Sequence, residues 1–308
     1  MSGARPAVLV VGEALVDIVH RADGTISESP GGSPANVAIT LGRLGRSPGF
    51  IARLADDERG RAVRAWLEDS GVSIDATAAE RTSTATAHLD AEGAARYDFA
   101  IEWDVVPGTG TSADVLHTGS IAALLAPGAD AVSALVDEVG PRALVTYDPN
   151  IRPSLIDDPD DARRRVRSFI ARADVVKASD EDIAWLHPGE DPVAVAAQWT
   201  QSGPVLVVVT QGADGAFAAG AGRFVRVEAE PVDVVDTVGA GDTFMGTLID
   251  GLVSAGAVGP GARDAVGALG DDELAALITR SARAAAITVS RPGADPPTRA
   301  ELDARLVG

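Results

Sequence analysis

The sequence predicts an α/β fold, a doubly wound, mostly parallel sheet carrying a small antiparallel β lid. Five short apolar runs come first: AVLVVG (7–12), DVLHTGS (114–120), RALVTYDPN (142–150), ADVVKAS (173–179) and VLVVVT (205–210). They lack polar alternation, as expected of strands covered on both faces. Helical stretches lie between them, and that order calls for parallel strands with helices on either side. The third observation is a change of texture at 82–103, TSTATAHLDAEGAARYDFAIEW, where small or apolar residues alternate with polar ones. Around Asp90-Ala91-Glu92-Gly93 this reads as an antiparallel hairpin with one wet face, a lid completed by residues 13–30.

One helix start is legible in GGSPANVAITLGRLG. Ser33 suits the cap and Pro34 the first helical position. Val37, Leu41 and Leu44 then share a face, and Gly45 suits the stop. RFVRVEA (223–229) alternates like a sheet edge, and Thr298 with Glu301 has capping-box spacing before a short last helix. No linker or repeat divides the chain, so residues 1–308 are expected to form one domain.

Charge and composition narrow the function. The 308 residues carry a net charge of −19, which argues against nucleic-acid and anionic-membrane surfaces. With no cysteine, thiolate chemistry and disulfides are excluded. His20, His88, His117 and His187 are scattered without metal-ligand spacing; His88, on the lid, is placed to face a bound molecule. The start MSGARPAVLVVG has no signal-peptide pattern, so a soluble cytoplasmic protein is expected.

The densest chemistry lies in DTVGAGDTFMG (236–246). Phe244, Leu248 and Leu252 recur at helical spacing behind it, so the glycines open a helix. The N–H groups of Gly239, Ala240 and Gly241 then form an anion hole, and Asp242 can take a proton from an attacking hydroxyl. The plain alternative is tight packing at the glycines and a first-turn carboxylate favoured by the helix dipole.

This stretch resembles the second signature of the PfkB, or ribokinase-like, carbohydrate kinases, and PGGSPANVAITLGRLG (30–45) resembles their first. The resemblance spans essentially the whole chain, to SRPGADPP. It implies a ribokinase-like fold and ATP-dependent transfer of a phosphoryl group to a sugar, with Asp242 as base. Asp17, Gly31, Gly32 and Asn36 match sugar-binding positions. TQGADG (210–215) matches the ATP loop, through Thr210, Gly212 and Gly215. KASDED (177–182) stands where relatives carry Asn-x-x-Glu, which gives Ser179 to the nucleotide and Asp182 to water-bound magnesium; a helix cap is the alternative. Asp236 and residues 288–293 match the surroundings of a monovalent cation, making potassium a candidate alongside ATP and Mg2+. Ala52, Ala55 and Thr247 depart from the family at packing positions. GxxxxGK[ST] and GxGxxG after the first strand are both absent.

DPNIRP (148–153), HTGS (117–120) and KASDED are most similar to the fructokinase branch. Arg152 is shared with 2-keto-3-deoxygluconate kinases, which read an acidic substrate. Asp98 and Glu102 on the lid would repel such an acid, so a neutral sugar, fructose, is expected. Ribose, nucleoside and 2-keto-3-deoxygluconate kinases are the alternatives, and a non-catalytic sugar or nucleotide sensor is the rival outside enzymes. The lid's open face could pair with a second subunit.

Overall fold

The computed structural model describes residues 7–89, 95–108, 111–220 and 222–306. In chain order its strands are β1 (Val8–Val11), β2 (Leu15–His20), β3 (Ile26–Gly31), β4 (Gly49–Leu54), β5 (Ser73–Ala78), β6 (Thr84–Leu89), β7 (Ala95–Ala100), β8 (Val115–Gly119), β9 (Leu144–Asp148), β10 (Val175–Ser179), β11 (Leu206–Thr210), β12 (Ala216–Gly220) and β13 (Arg223–Val227). The larger sheet has the order β13-β12-β11-β10-β9-β8-β1-β4-β5. From β11 to β5 all its neighbours are parallel; β12 and β13 close one edge antiparallel.

Each of the five apolar runs is a strand of this sheet, and β13 is the edge that RFVRVEA predicted. Their lack of alternation has the expected cause. In β9, Leu144 belongs to one core, with the helices Ser33–Arg43 and Ala240–Ser254, while Val145 and Tyr147 belong to the other, with Gly128–Val139 and Pro159–Ile170. β4 and β5 had no such signature: β5 (SIDATA) is partly exposed along its length, and FIARL in β4 is too short to separate from a helix by period. Ala52 and Ala55 are buried packing residues, and Thr247 is buried with its hydroxyl unpartnered.

The lid is a four-stranded sheet in the order β3-β2-β6-β7. Its two halves are antiparallel pairs, as expected, but they join through a parallel β2–β6 pair. The Asp90–Gly93 turn lies outside the described residues. No described helix is long and apolar enough to cross a membrane.

Helix ends bear out part of the capping analysis. Gly45 takes φ 82°, donates to Gly42 O, and is followed by Arg46 N–H on Leu41 O, ending the helix Ser33–Arg43. Thr298 and Glu301 form their reciprocal bonds ahead of Arg299–Leu306. Ser33 does not cap its helix: Gly32 occupies that position, and the Ser33 hydroxyl points elsewhere.

Candidate active site

Strands β9, β10 and β11 end in Asp148, Ser179 and Thr210 along one edge of the parallel sheet, where such folds hold ligands. Above that edge begins the helix Ala240–Ser254. Gly239 has φ 76°, and a Cβ there would sit 2.6 Å from Ala294 Cβ, so the turn demands glycine. The Ala240 N–H makes a long 3.3 Å bond to Thr237 O; among the described residues the Gly239 and Gly241 N–H groups have no acceptor.

Asp242 is buried in the first turn and receives three donors from distant segments. The Ser33 hydroxyl donates to Oδ1 at 2.7 Å, Asn36 Nδ2 to Oδ2 at 2.8 Å, and Asn150 Nδ2 to Oδ1 at 3.3 Å. Ser33 therefore departs from its expected cap because the tighter acceptor is a carboxylate across the site. Asn36 leaves its own Oδ1 buried and unpartnered, an acceptor available to a hydroxyl. Asn150 takes φ 36° and also accepts from Arg152 Nη1 at 2.6 Å, linking the arginine to Asp242. From the sequence Ser33 was read only as a cap and Asn150 only as part of DPNIRP, neither as a partner of Asp242.

Asp17 lies at the base of the lid against Gly31, whose missing Cβ would stand 2.1 Å from Asp17 Oδ2. Burial pushes the Asp17 carboxyl up to about 6; the Arg152 charge opposes that rise and Asp242 adds to it. Gly32, at φ 111°, leaves room for Glu13 O, which a Cβ would meet at 2.5 Å. Asp17, Gly31, Gly32, Asn36 and Arg152, the positions that the family resemblance assigns to the substrate, thus lie around Asp242. Glu13, unnoticed in the sequence, is buried beside them: desolvation raises it to about 7 against bonds from Ser120 and the Ala122 N–H.

On the other side, Ser179 and Thr210 end β10 and β11 in register, and the loop holding Gly212 and Gly215 follows. Gly212 opens onto free space, whereas Gly215 (φ 83°) is required by its turn, since a Cβ would strike Val227 O at 2.1 Å. Ser179 and Asp182 form a full capping box: Asp182 Oδ2 accepts the Ser179 N–H and hydroxyl, and Oδ1 accepts the Ile151 N–H at 2.7 Å. Asp182 therefore anchors the 148–152 segment, with both of its oxygens already engaged by donors. No described cluster of three His, Cys, Asp or Glu residues could hold a metal ion. Between the two halves, Lys177 Nζ donates to Asp148 Oδ2 at 2.9 Å, both side chains buried. Burial lifts Asp148 to about 6 despite the ammonium. Burial also pulls Lys177 down, but Asp148, Asp182 and Asp242 outweigh it and hold its pKa above the usual lysine value.

Asp236 accepts from the Val238 and Gly293 N–H groups, and Val289 O accepts from the Val235 and Asp236 N–H groups. The two segments expected around a monovalent cation are thus adjacent. Two lid expectations fail. Register places His88 beside His20, on the face opposite Asp17, where the rings stack at 4.7 Å and Asp98 Oδ2 lies 3.2 Å from His88 Nε2. Asp98 also pairs with Arg96, and Glu102 with Arg53, so both charges are already met by arginines. Residues three apart on a strand point to opposite faces, and the flanking arginines lie far from Glu102 in sequence.

The pfkB family carbohydrate kinase profile matches residues 5–301. A fructokinase of Rhizobium leguminosarum bv. trifolii is 37% identical over 259 residues, 80% of this chain and 79% of the relative. One from Klebsiella pneumoniae is 35% identical over 263 residues, covering 81% and 85%. Among solved structures, a fructokinase double mutant from Vibrio cholerae, with fructose, ADP and a potassium ion bound, superposes with a TM-score of 0.80 at 26% identity, covering 99% of each chain. The chain belongs to the pfkB family of carbohydrate kinases.

Proposed function

We propose that the protein is a fructokinase, moving the γ-phosphoryl group of ATP to a hydroxyl of fructose. The observation that carries this reading is the placement of Asp242, buried at the positive end of its helix beside the free Gly239 and Gly241 N–H groups and held from three directions by Ser33, Asn36 and Asn150. Similarity to fructokinases, one of them solved with fructose and ADP, supports the choice of sugar and nucleotide.

In this reading Asp17, Asn36 and Arg152 hold the sugar hydroxyls, and Gly31 and Gly32 let the ring approach the backbone. The reacting hydroxyl displaces the weak Asn150 contact and gives its proton to Asp242. Its oxygen bonds to the γ-phosphorus as the bond to the β,γ-bridging oxygen breaks, and that electron pair leaves with ADP. The Gly239, Ala240 and Gly241 N–H groups meet the charge on the transferring oxygens. Ser179, Thr210, Gly212 and Gly215 line the nucleotide side. Magnesium enters with the nucleotide phosphates, the described residues forming no acidic or histidine cage for it. A monovalent cation fits between Asp236 and residues 288–293, and the exposed Ile26 and Tyr97 suit pairing of two lids.

The test is a panel of fructose, ribose, a purine riboside and 2-keto-3-deoxygluconate with ATP, reading ADP release. Fructose should give the highest kcat/KM. Preference for another acceptor removes the fructose assignment, and turnover of none of them removes the kinase.

A further inference from the structure

Lys177 is a cation inside a strand whose other residues are apolar or small, and it lies where the phosphoryl group must pass. Its side chain is only 4% exposed. An ammonium has three donors, yet the acceptor it meets among the described residues is Asp148 Oδ2 alone. Two donors are left in a buried place, where an unmet donor is costly. Their direction is given by Gly241: a Cβ there would lie 2.9 Å from Lys177 Nζ. The missing side chain at 241 therefore keeps a channel open between the ammonium and the N–H groups of the hole. The surrounding charge is otherwise negative, with Asp148, Asp182 and Asp242 all close enough to act on the lysine. A polyphosphate entering that field would be repelled by three carboxylates, and Lys177 is the fixed cation set against them.

We propose that Lys177 is a catalytic residue of the phosphoryl site, donating its two free N–H groups to the oxygens of the transferring phosphoryl group, and that Asp148 is the positioning residue aiming it. The proposal rests on the kinase reading. Asp148 ends β9 directly across from Lys177, since Thr146 pairs with Val175 in register. Gly241 then has two duties: its N–H faces the anion, and its lack of a side chain admits the ammonium. An acid–lysine pair serving only the core would not require a glycine beside it.

The experiment is a double-variant cycle with Lys177→Met, Asp148→Asn and the pair together, following fructose turnover, thermal unfolding, and affinity for ADP alone and for ADP with aluminium fluoride, a stand-in for the transferring phosphoryl group. Lys177→Met should lower kcat on the order of 10²–10³-fold, the loss expected on removing one donor from an oxyanion hole, while fructose KM stays within about threefold. Because that variant strands a buried carboxylate, the double variant decides: neutral at both positions, it should fold yet keep the low kcat. It should also bind ADP like the parent but lose the extra affinity conferred by aluminium fluoride. A double variant whose kcat returns to within about threefold of the parent shows that the ammonium only neutralises Asp148, and the proposal falls. If the parent phosphorylates no sugar, the kinase reading fails instead; the aluminium fluoride arm still judges Lys177, equal affinity in parent and double variant refuting it.

Discussion

Replacing Asp242 by asparagine removes the base and little else, and the geometry shows why. The amide oxygen must face Asn36 Nδ2, which only donates, so the new NH2 group falls at the Ser33 hydroxyl, which can turn to accept it. What is lost is the long Asn150 contact of 3.3 Å. A bond to a charged group is worth about 1.5–3 kcal/mol, but this one is long and removing a buried charge offsets part of its loss, so unfolding by urea should shift little. Turnover should respond differently. A positioned general base contributes about 10²–10⁴-fold, so kcat should fall on the order of 10³-fold, about 4 kcal/mol in activation free energy. A coupled assay of ADP release with fructose measures it, and titration calorimetry with ADP checks that nucleotide affinity is kept. Turnover within tenfold of the parent, in a protein that still binds ADP, would refute the assignment.

Three further outcomes are expected. Gly31→Ala puts a methyl group 2.1 Å from Asp17 Oδ2 and must displace that carboxylate; fructose KM should rise about tenfold or more, a bond to a charged group being worth about 1.5–3 kcal/mol, while an unchanged fructose KM would remove Asp17 from sugar binding. Glu13, raised by burial from 4.5 to about 7, binds more protons folded than unfolded between those values, so it weakens the fold as pH rises through that window. Glu13→Gln should therefore gain stability over the parent from pH 5 to pH 8, by up to about 3 kcal/mol, and melting curves showing a constant difference would overturn the burial argument. Asp250 is buried on the helix Ala240–Ser254 and neutralises Arg46 Nε (2.6 Å), Arg280 Nη1 (3.2 Å) and Arg299 Nη2 (2.7 Å). Asp250→Asn should cost about 3 kcal/mol or more in urea unfolding yet leave kcat per folded molecule intact, because the site is roughly 12 Å away along the helix; a loss of kcat without a loss of stability would contradict this.

Much of the site was visible before any coordinates. Strand ends at Ser179 and Thr210 and the glycine turn before Asp242 each carry a local signal, because period, turn chemistry and strand termini depend on neighbours a few residues away, whereas Asp17 was named only through the family resemblance. Ser33 shows where that ends. Its place before Pro34 argues for a cap, but Gly32 takes the cap and the hydroxyl goes to a carboxylate 209 positions along the chain. Glu13 had no pattern around it, while Asn150 and Lys177 stood inside DPNIRP and KASDED without any sign in those stretches of what their side chains would meet.

The lid divides in the same way. Alternation announced its wet strands, but only pairing register decided that His88 and Asp98 face away from Asp17 and that β2 meets β6 in parallel. A slip of one residue would exchange the two faces without altering the pattern. Residue order, then, settled the parallel sheet, the helix behind the glycines and the aspartate at its start. The fold alone decided which groups surround that aspartate, since Ser33, Asn36, Asn150 and Lys177 converge through strand order and helix packing, to which no short stretch of chain bears witness.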